Sequence, residues 1–149
     1  MENIKLVSWD VYGTLIATHY DESTNCGDIP LRLRPGALEV LSEIKLRGIT
    51  QCTSSDGHLG NLKTNLKEAG VEWTNFFYDL YKMGPYQQKD FSYIMEAHQI
   101  KPKNLLVIGD NYDIDIALAK KQGCITLHVP EENFKPNPLN VIAILKLLK

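Results

Sequence analysis

Two acidic stretches hold the side chains best suited to chemistry. Near the start, the short apolar-rich run Lys5-Leu6-Val7-Ser8-Trp9 delivers a carboxylate, Asp10, and continues as Val11-Tyr12-Gly13-Thr14-Leu15. Gly13 stands where the backbone has to turn, and glycine takes unusual dihedrals there at no steric cost. Far down the chain, Leu105-Leu106-Val107-Ile108 leads into Gly109-Asp110-Asn111-Tyr112-Asp113-Ile114-Asp115. Both are buried-strand patterns that end in acids. In an open parallel sheet, ligands bind just beyond the carboxyl ends of strands. Carboxylates at those points are placed to act as a nucleophile or as metal ligands. Asp10 on its own would read equally well as the cap of a turn; the second cluster decides against that.

If the two strands are neighbours, their acids converge. Carboxylate and carbonyl oxygens around an open position suit magnesium, with water and substrate phosphate completing the shell. A cation there offsets the repulsion between an attacking carboxylate and an anionic substrate. Asp10 is then the nucleophile, Asp110 a metal ligand, and Asp115 a ligand or an anchor behind it. Ser55, at the end of a second strand, is placed to hydrogen-bond a phosphate oxygen, and a lysine would complete the charge balance. The remaining polar candidates have plainer readings. Asp113 reads as a surface or helix-start acid, Asp56 as a turn residue, and Thr14 as a brace for its loop. His19, His58, His98 and His128 show no ligand spacing.

The elements that must position these residues alternate. After the first strand, residues 16–34 are polar and turn-rich in the middle and read as a loop over the site, too short for an inserted domain. Pro35 suits a first helical position. Ala37, Leu38, Leu41 and Ile44 then recur at helical spacing up to Gly48. Residues 49–54 read as a second strand whose Thr50 and Gln51 are polar for a central position. A helix follows over 59–69, a short third strand over 76–81, a break at Pro85, and a helix from about Lys89 to His98. The fourth strand is Leu105 to Ile108, with a helix through Ile116, Ala119 and Lys120 to Gly123. A fifth strand over 125–129, a loop marked by Pro130, Pro136 and Pro138, and an amphipathic helix through Val141, Ile144, Leu145 and Leu148 close the chain. Strands alternating with helices predict a parallel sheet covered on both faces. The aromatic run Trp73, Phe76, Phe77, Tyr78 and Tyr81 reads as core and strand.

Composition narrows the function classes. With 149 residues the chain fits one domain spanning 1–149, large enough to bury a core. A net charge of −2 gives no electrostatic case for nucleic acid or an anionic membrane as partner. No apolar run approaches the ~20 residues needed to cross a bilayer. No signal-peptide pattern precedes the first strand. Cys26, Cys52 and Cys124 are odd in number and form no Cys-x-x-Cys pair, so a reducing, cytoplasmic setting is expected.

On these residues the chain resembles the haloacid dehalogenase (HAD) superfamily. The family's first motif, Asp-x-(Asp/Thr/Tyr)-Gly-Thr-(Leu/Val), is matched by Asp10-Val11-Tyr12-Gly13-Thr14-Leu15. The second, a strand ending in Ser or Thr, is matched by the stretch that puts Ser55 in the key place before Asp56-Gly57. The fourth, Gly-Asp followed by a further acid, small residues and Gly, is matched by Gly109-Asp110 with Asp115, Ala119 and Gly123. The resemblance spans nearly the whole chain. It implies an α/β three-layer sandwich around a parallel, Rossmann-like sheet, with no cap domain. It also implies a magnesium-dependent hydrolase, foremost a phosphomonoester phosphatase working through a phospho-aspartate at Asp10. Asp10, the Tyr12 carbonyl, Asp110 and Asp115 would surround the metal.

Two departures from the family pattern bear on function. The family's phosphatases carry an acid two residues after the nucleophile, and here that residue is Tyr12. A phenol with an ordinary pKa near ~10 is a poor proton shuttle at neutral pH, so slow turnover or a preference for good leaving groups is expected. The second departure is the lysine: the family's spacing places it near Pro85, where none stands. Lys82 and Lys89 flank the gap, with Lys82 slightly favoured because it follows a strand. These departures support an alternative, a non-catalytic HAD-like binding or regulatory domain. Tyr12 also resembles the 2-haloacid dehalogenases, which carry a large helical cap that residues 16–34 cannot supply. A capless site implies an open cleft for a phosphorylated small molecule or macromolecule, or one completed by another subunit.

Overall fold

Val7 and Trp9 face one side of the first strand and Leu6 and Ser8 the other, and all four are buried. A strand buried on both faces needs helices above and below it. In the computed structural model, which describes residues 3–17, 32–56, 58–83, 88–130 and 138–148, that is the arrangement. Strand β1 (Leu6–Trp9) is followed by helix α1 (Ala37–Leu46), β2 (Thr50–Ser55), α2 (Leu59–Glu68), β3 (Leu80–Lys82), α3 (Ser92–His98), β4 (Leu105–Gly109), α4 (Ala117–Lys121), β5 (Ile125–His128) and α5 (Val141–Lys146). The five strands form one parallel sheet in the order β3-β2-β1-β4-β5.

Two cores sandwich this sheet. Val7, Trp9, Leu106 and Ile108 pack with α1, α2 and Ile144 of α5 on one face. Leu6, Leu105 and Val107 pack with Ile94 and Met95 of α3 and Ala119 of α4 on the other. The chain builds outward from β1 to β2 and β3, then crosses to β4 and β5. Because crossovers keep one hand, the reversal of direction moves the helices to the opposite face. This is the three-layer, Rossmann-like sandwich, and no cap domain occurs among the described residues.

The polar Gln51 has a structural reason. Its amide donates to the Leu41 carbonyl of α1 at 3.0 Å, and its Oε1 accepts from the fully buried Trp9 indole N–H at 2.9 Å. It therefore satisfies the indole donor of Trp9 within an apolar layer, where an unmet partner would cost about 1–3 kcal/mol.

Three element boundaries differ from the sequence expectation. The third strand is Leu80–Lys82, not residues 76–81, because Trp73–Asn75 winds into a 3-10 turn and the Phe77 N–H bonds back to Trp73. Phe76 and Phe77 join the core from that turn. Helix α3 begins at Ser92 instead of near Lys89, with the Asp90 carboxylate accepting the Ser92 N–H at 2.9 Å. Ahead of α4, Tyr112–Ile116 forms a π-helical turn. The middle of the expected 16–34 loop (18–31, including His19 and Cys26), Gly57, Pro85 and the 131–137 part of the proline loop lie outside the described residues. At the edges of the first of these, the Ala17 N–H donates to the Arg32 carbonyl at 2.9 Å and the Arg34 N–H to the Leu15 carbonyl at 2.7 Å. The chain thus leaves and returns side by side. Cys52 and Cys124 are buried free thiols, and no described helix is long and apolar enough to cross a membrane.

Candidate active site

Strands β1 and β4 are paired with Trp9 opposite Ile108, and the Asp10 N–H donates to the Ile108 carbonyl at 2.9 Å. Asp10 and Asp110 therefore leave the sheet together at its carboxyl edge. This edge is the switch point of the sheet, where the chain turns one way to β2 and the other way to β4 and β5. One carboxylate oxygen from each of Asp10, Asp110 and Asp115 lies within 4.8 Å of the others.

Two glycines make this convergence geometrically available. Gly13 has φ of 85°, and a Cβ there would stand 2.2 Å from Asp110 Oδ2. At Gly109 a Cβ would come within 2.3 Å of Asp115 Oδ2. In the π turn, the Asp115 and Ile116 N–H groups both reach back to the Asn111 carbonyl, at 2.9 and 3.4 Å. The turn brings the Asp115 side chain over Gly109, where its Oδ2 accepts the Asn111 N–H at 3.2 Å. Thr14 Oγ1 lies 3.1 Å from Asp10 Oδ2 and 3.2 Å from Asp110 Oδ1, a single hydroxyl proton between two carboxylates.

Among the described residues, Lys89 is the cation paired with the acidic cluster. Its buried Nζ donates to Asp10 Oδ1 at 2.9 Å and to Asp115 Oδ1 at 2.5 Å. The segment carrying it is held by Gln122, whose Oε1 accepts the Phe91 N–H at 2.7 Å and whose amide donates to the Lys89 carbonyl at 3.2 Å. Lys82, slightly favoured from the sequence, is exposed at the end of β3, and its carbonyl accepts from the Tyr93 hydroxyl. Because α3 starts only at Ser92, Lys89 stays free of helical geometry and reaches the carboxylates.

Burial dominates the electrostatics. It pushes the Asp10 carboxyl up to about 7; the Lys89 charge opposes this, while a hydrogen bond and repulsion from Asp110 add to it. Asp115 is raised to about 6, by burial and then by the Asp10 charge, against Lys89 and the Asn111 N–H. Burial alone would lower Lys89, but the Asp10 and Asp115 carboxylates outweigh it and hold the ammonium above its usual value. Asp10 and Asp115 thus share one lysine, with Asp110 beside them, and burial makes both of the paired carboxyls resist ionisation. An all-oxygen donor set with uncompensated negative charge fits a hard divalent cation such as magnesium.

A cavity of about 170 Å³ opens over this cluster, lined by Asp10, Tyr12, Lys89 and Asp110, and further by Asp56 and Asn111. A larger hollow of about 580 Å³ lies at the opposite end of the strands, beside Lys5 and Arg47, with no carboxylate in its lining. The smaller cavity is where convergent polar groups and perturbed carboxyls coincide.

Ser55 ends β2 and is buried, one residue before the cavity-lining Asp56. Tyr12 is half-buried and lines the cavity, and its hydroxyl accepts from Asn65 of α2 at 2.6 Å. His128 Nε2 lies 2.8 Å from the Asp110 carbonyl oxygen. The buried Arg34 donates to the carbonyls of Gly13 at 3.2 Å and Val129 at 2.5 Å, tying the turn after Asp10 to the end of β5. Gln122, Asn65 and Arg34 escaped the sequence reading, and His128 was read only as lacking ligand spacing, because each acts through a partner distant in the chain.

Comparison with known proteins follows the same lines. A family model described as haloacid dehalogenase-like hydrolase matches residues 17–123. No curated protein matches the chain. Among solved structures, a predicted phosphoglycolate phosphatase from Haemophilus somnus superposes with a TM-score of 0.74 at 17% identity, covering 100% of both chains. A haloacid dehalogenase-like family protein from Streptococcus pneumoniae gives 0.73 at 15%, covering 98% of this chain and 99% of its own. CbbY from Rhodobacter sphaeroides, in complex with phosphate, gives 0.68 at 15%, covering 90% and 92%.

Proposed function

The chain belongs to the haloacid dehalogenase-like hydrolase family, and from that membership we propose that it is a magnesium-dependent phosphomonoester phosphatase acting through a phospho-aspartate at Asp10. The observation that carries this reading is Lys89, whose ammonium bridges Asp10 and Asp115 at the carboxyl edge of β1 and β4. A lysine there opposes the burial that favours the neutral form of Asp10 and leaves positive charge beside an incoming phosphate. The sequence case for a non-catalytic domain leaned in part on a displaced lysine, and the Lys89 contact supports the catalytic reading instead.

In the proposed reaction, a carboxylate oxygen of Asp10 forms a bond to phosphorus as the ester P–O bond breaks. The leaving oxygen departs with the electron pair and takes its proton from solvent. Water then attacks the phosphorus of phospho-Asp10, losing its proton to solvent. Phosphate is released and the Asp10 carboxylate restored. Asp10, the Tyr12 carbonyl, Asp110 and Asp115 would hold magnesium, which when bound supplies charge neutralisation between nucleophile and phosphate. Ser55 and Lys89 would hold phosphate oxygens. Phosphate bound to CbbY and the phosphatase among the structural neighbours support that substrate class. Tyr12 in place of an acid makes the first step slow for basic leaving groups. The open cavity suits a phosphorylated small molecule or a bulky phosphorylated macromolecule, or a site completed by a second subunit.

The test is hydrolysis of p-nitrophenyl phosphate with and without magnesium. Turnover should need the metal, vanish in Asp10→Asn, and rise about a hundredfold in Tyr12→Asp, the lower end of what a general acid supplies. Turnover that survives Asp10→Asn would overturn the reading.

A further inference from the structure

A second feature of the cavity is not explained by the chemistry above. Tyr12 lines the cavity beside Asp10, and its phenol oxygen accepts a short hydrogen bond, 2.6 Å, from the Asn65 amide. Asn65 is half-buried on α2, beside Leu62 and Leu66, which seat that helix in the core. An amide that donates to a phenol oxygen uses one of its lone pairs and leaves the phenol's own proton unspent. No described residue accepts that proton, and Tyr12 lines the cavity. Accepting one bond while donating another strengthens both, because the dipoles polarise each other.

We propose that Asn65 is a positioning residue that orients Tyr12 as a hydrogen-bond donor to the leaving-group oxygen of the substrate. This deepens the phosphatase reading and rests on it. No proton is transferred: the phenol keeps its hydrogen and stabilises charge that gathers on the ester oxygen as the P–O bond breaks. The oxyanion is protonated by solvent after it leaves. The substrates best served are phosphomonoesters whose leaving oxygen gains charge it can delocalise, such as aryl or enol phosphates, with the phenol supplying the last stabilisation.

The experiment compares p-nitrophenyl phosphate with phenyl phosphate, whose leaving oxygen is the more basic. Tyr12→Phe and Asn65→Leu should each lower kcat by about three- to tenfold, the range of one neutral hydrogen bond, with KM little changed. The loss should be larger for phenyl phosphate, which a merely structural slump would not produce. The double variant should lose no more than either single one. Asn65→Asp, which accepts where asparagine donates, should claim the phenol proton and match Tyr12→Phe. Equal losses on both substrates, additive losses in the double variant, or a neutral Asn65→Asp would each overturn the proposal.

Binding of orthovanadate in the presence of magnesium, read as a shift in Tm, separates this failure from failure of the phosphatase reading. If the wild type hydrolyses neither ester, that reading falls. Vanadate stabilisation that is reduced equally by Tyr12→Phe and Asn65→Asp would then still support the oriented donor, and stabilisation unchanged or absent would reject it.

Discussion

At the scale of single residues, the site is a problem of charge out of water. Asp10 is 8% exposed, and its carboxyl stands near 7 where an ordinary one stands at 3.8. A carboxyl raised by folding keeps its proton in the folded state across a window where the unfolded chain has released it. Stability is therefore lost as pH rises from about 4 to about 7. In metal-free buffer, Asp10→Asn should raise the Tm at pH 8 by several degrees, about 1–3 kcal/mol, and leave it nearly unchanged at pH 4. A Tm gain that is the same at both pH values would show that the buried charge is not the cause. Asp10 and Asp110 were legible in the sequence because short apolar strands ending in acids have a characteristic pattern. Lys89 was only one of two options, because its place depends on where α3 begins.

At the scale of elements, two connections do most of the positioning. The π turn at Tyr112–Ile116 returns Asp115 to Gly109, while Gln122, after the last turn of α4, grips the backbone on either side of Asp90. Neither has a sequence signature: a π turn differs from an α-turn by one residue of register, and a glutamine near a helix end reads as solvated surface. Gln122→Leu should keep the fold, costing about 1–3 kcal/mol for the buried backbone groups it leaves unmet. It should also reduce any turnover of p-nitrophenyl phosphate, because the Lys89 segment loses its anchor. Circular dichroism with parallel kinetics checks this; unchanged kinetics would mean that Phe91 packing alone fixes Lys89. The third strand was misplaced for a related reason. Its aromatic residues have high strand propensity, but a 3-10 turn lets Phe76 and Phe77 reach the core without pairing.

At the scale of the whole molecule, the parallel sheet and both helical layers were legible, since alternating strand and helix patterns with one hand of crossover leave few arrangements. The same architecture couples ligand and stability. A cation held by Asp10, Asp110 and Asp115 binds only the folded chain, so magnesium at about a hundred times its Kd should add roughly 3 kcal/mol, or several degrees of Tm. Because carboxyls near 6 and 7 must ionise to take the metal, the gain should be large at pH 8 and small at pH 5. A magnesium effect of equal size at both values would place the ion elsewhere.

The paired backbones at Ala17–Arg32 and Leu15–Arg34 have a consequence for how such a chain changes over time. They form a splice point: the two ends are already fastened together, so closing the intervening stretch costs little more when it grows. Doubling its length adds only about 0.6 kcal/mol of closure entropy. New sequence can therefore be grafted between Ala17 and Arg32 while the strands that hold the acids remain as they are.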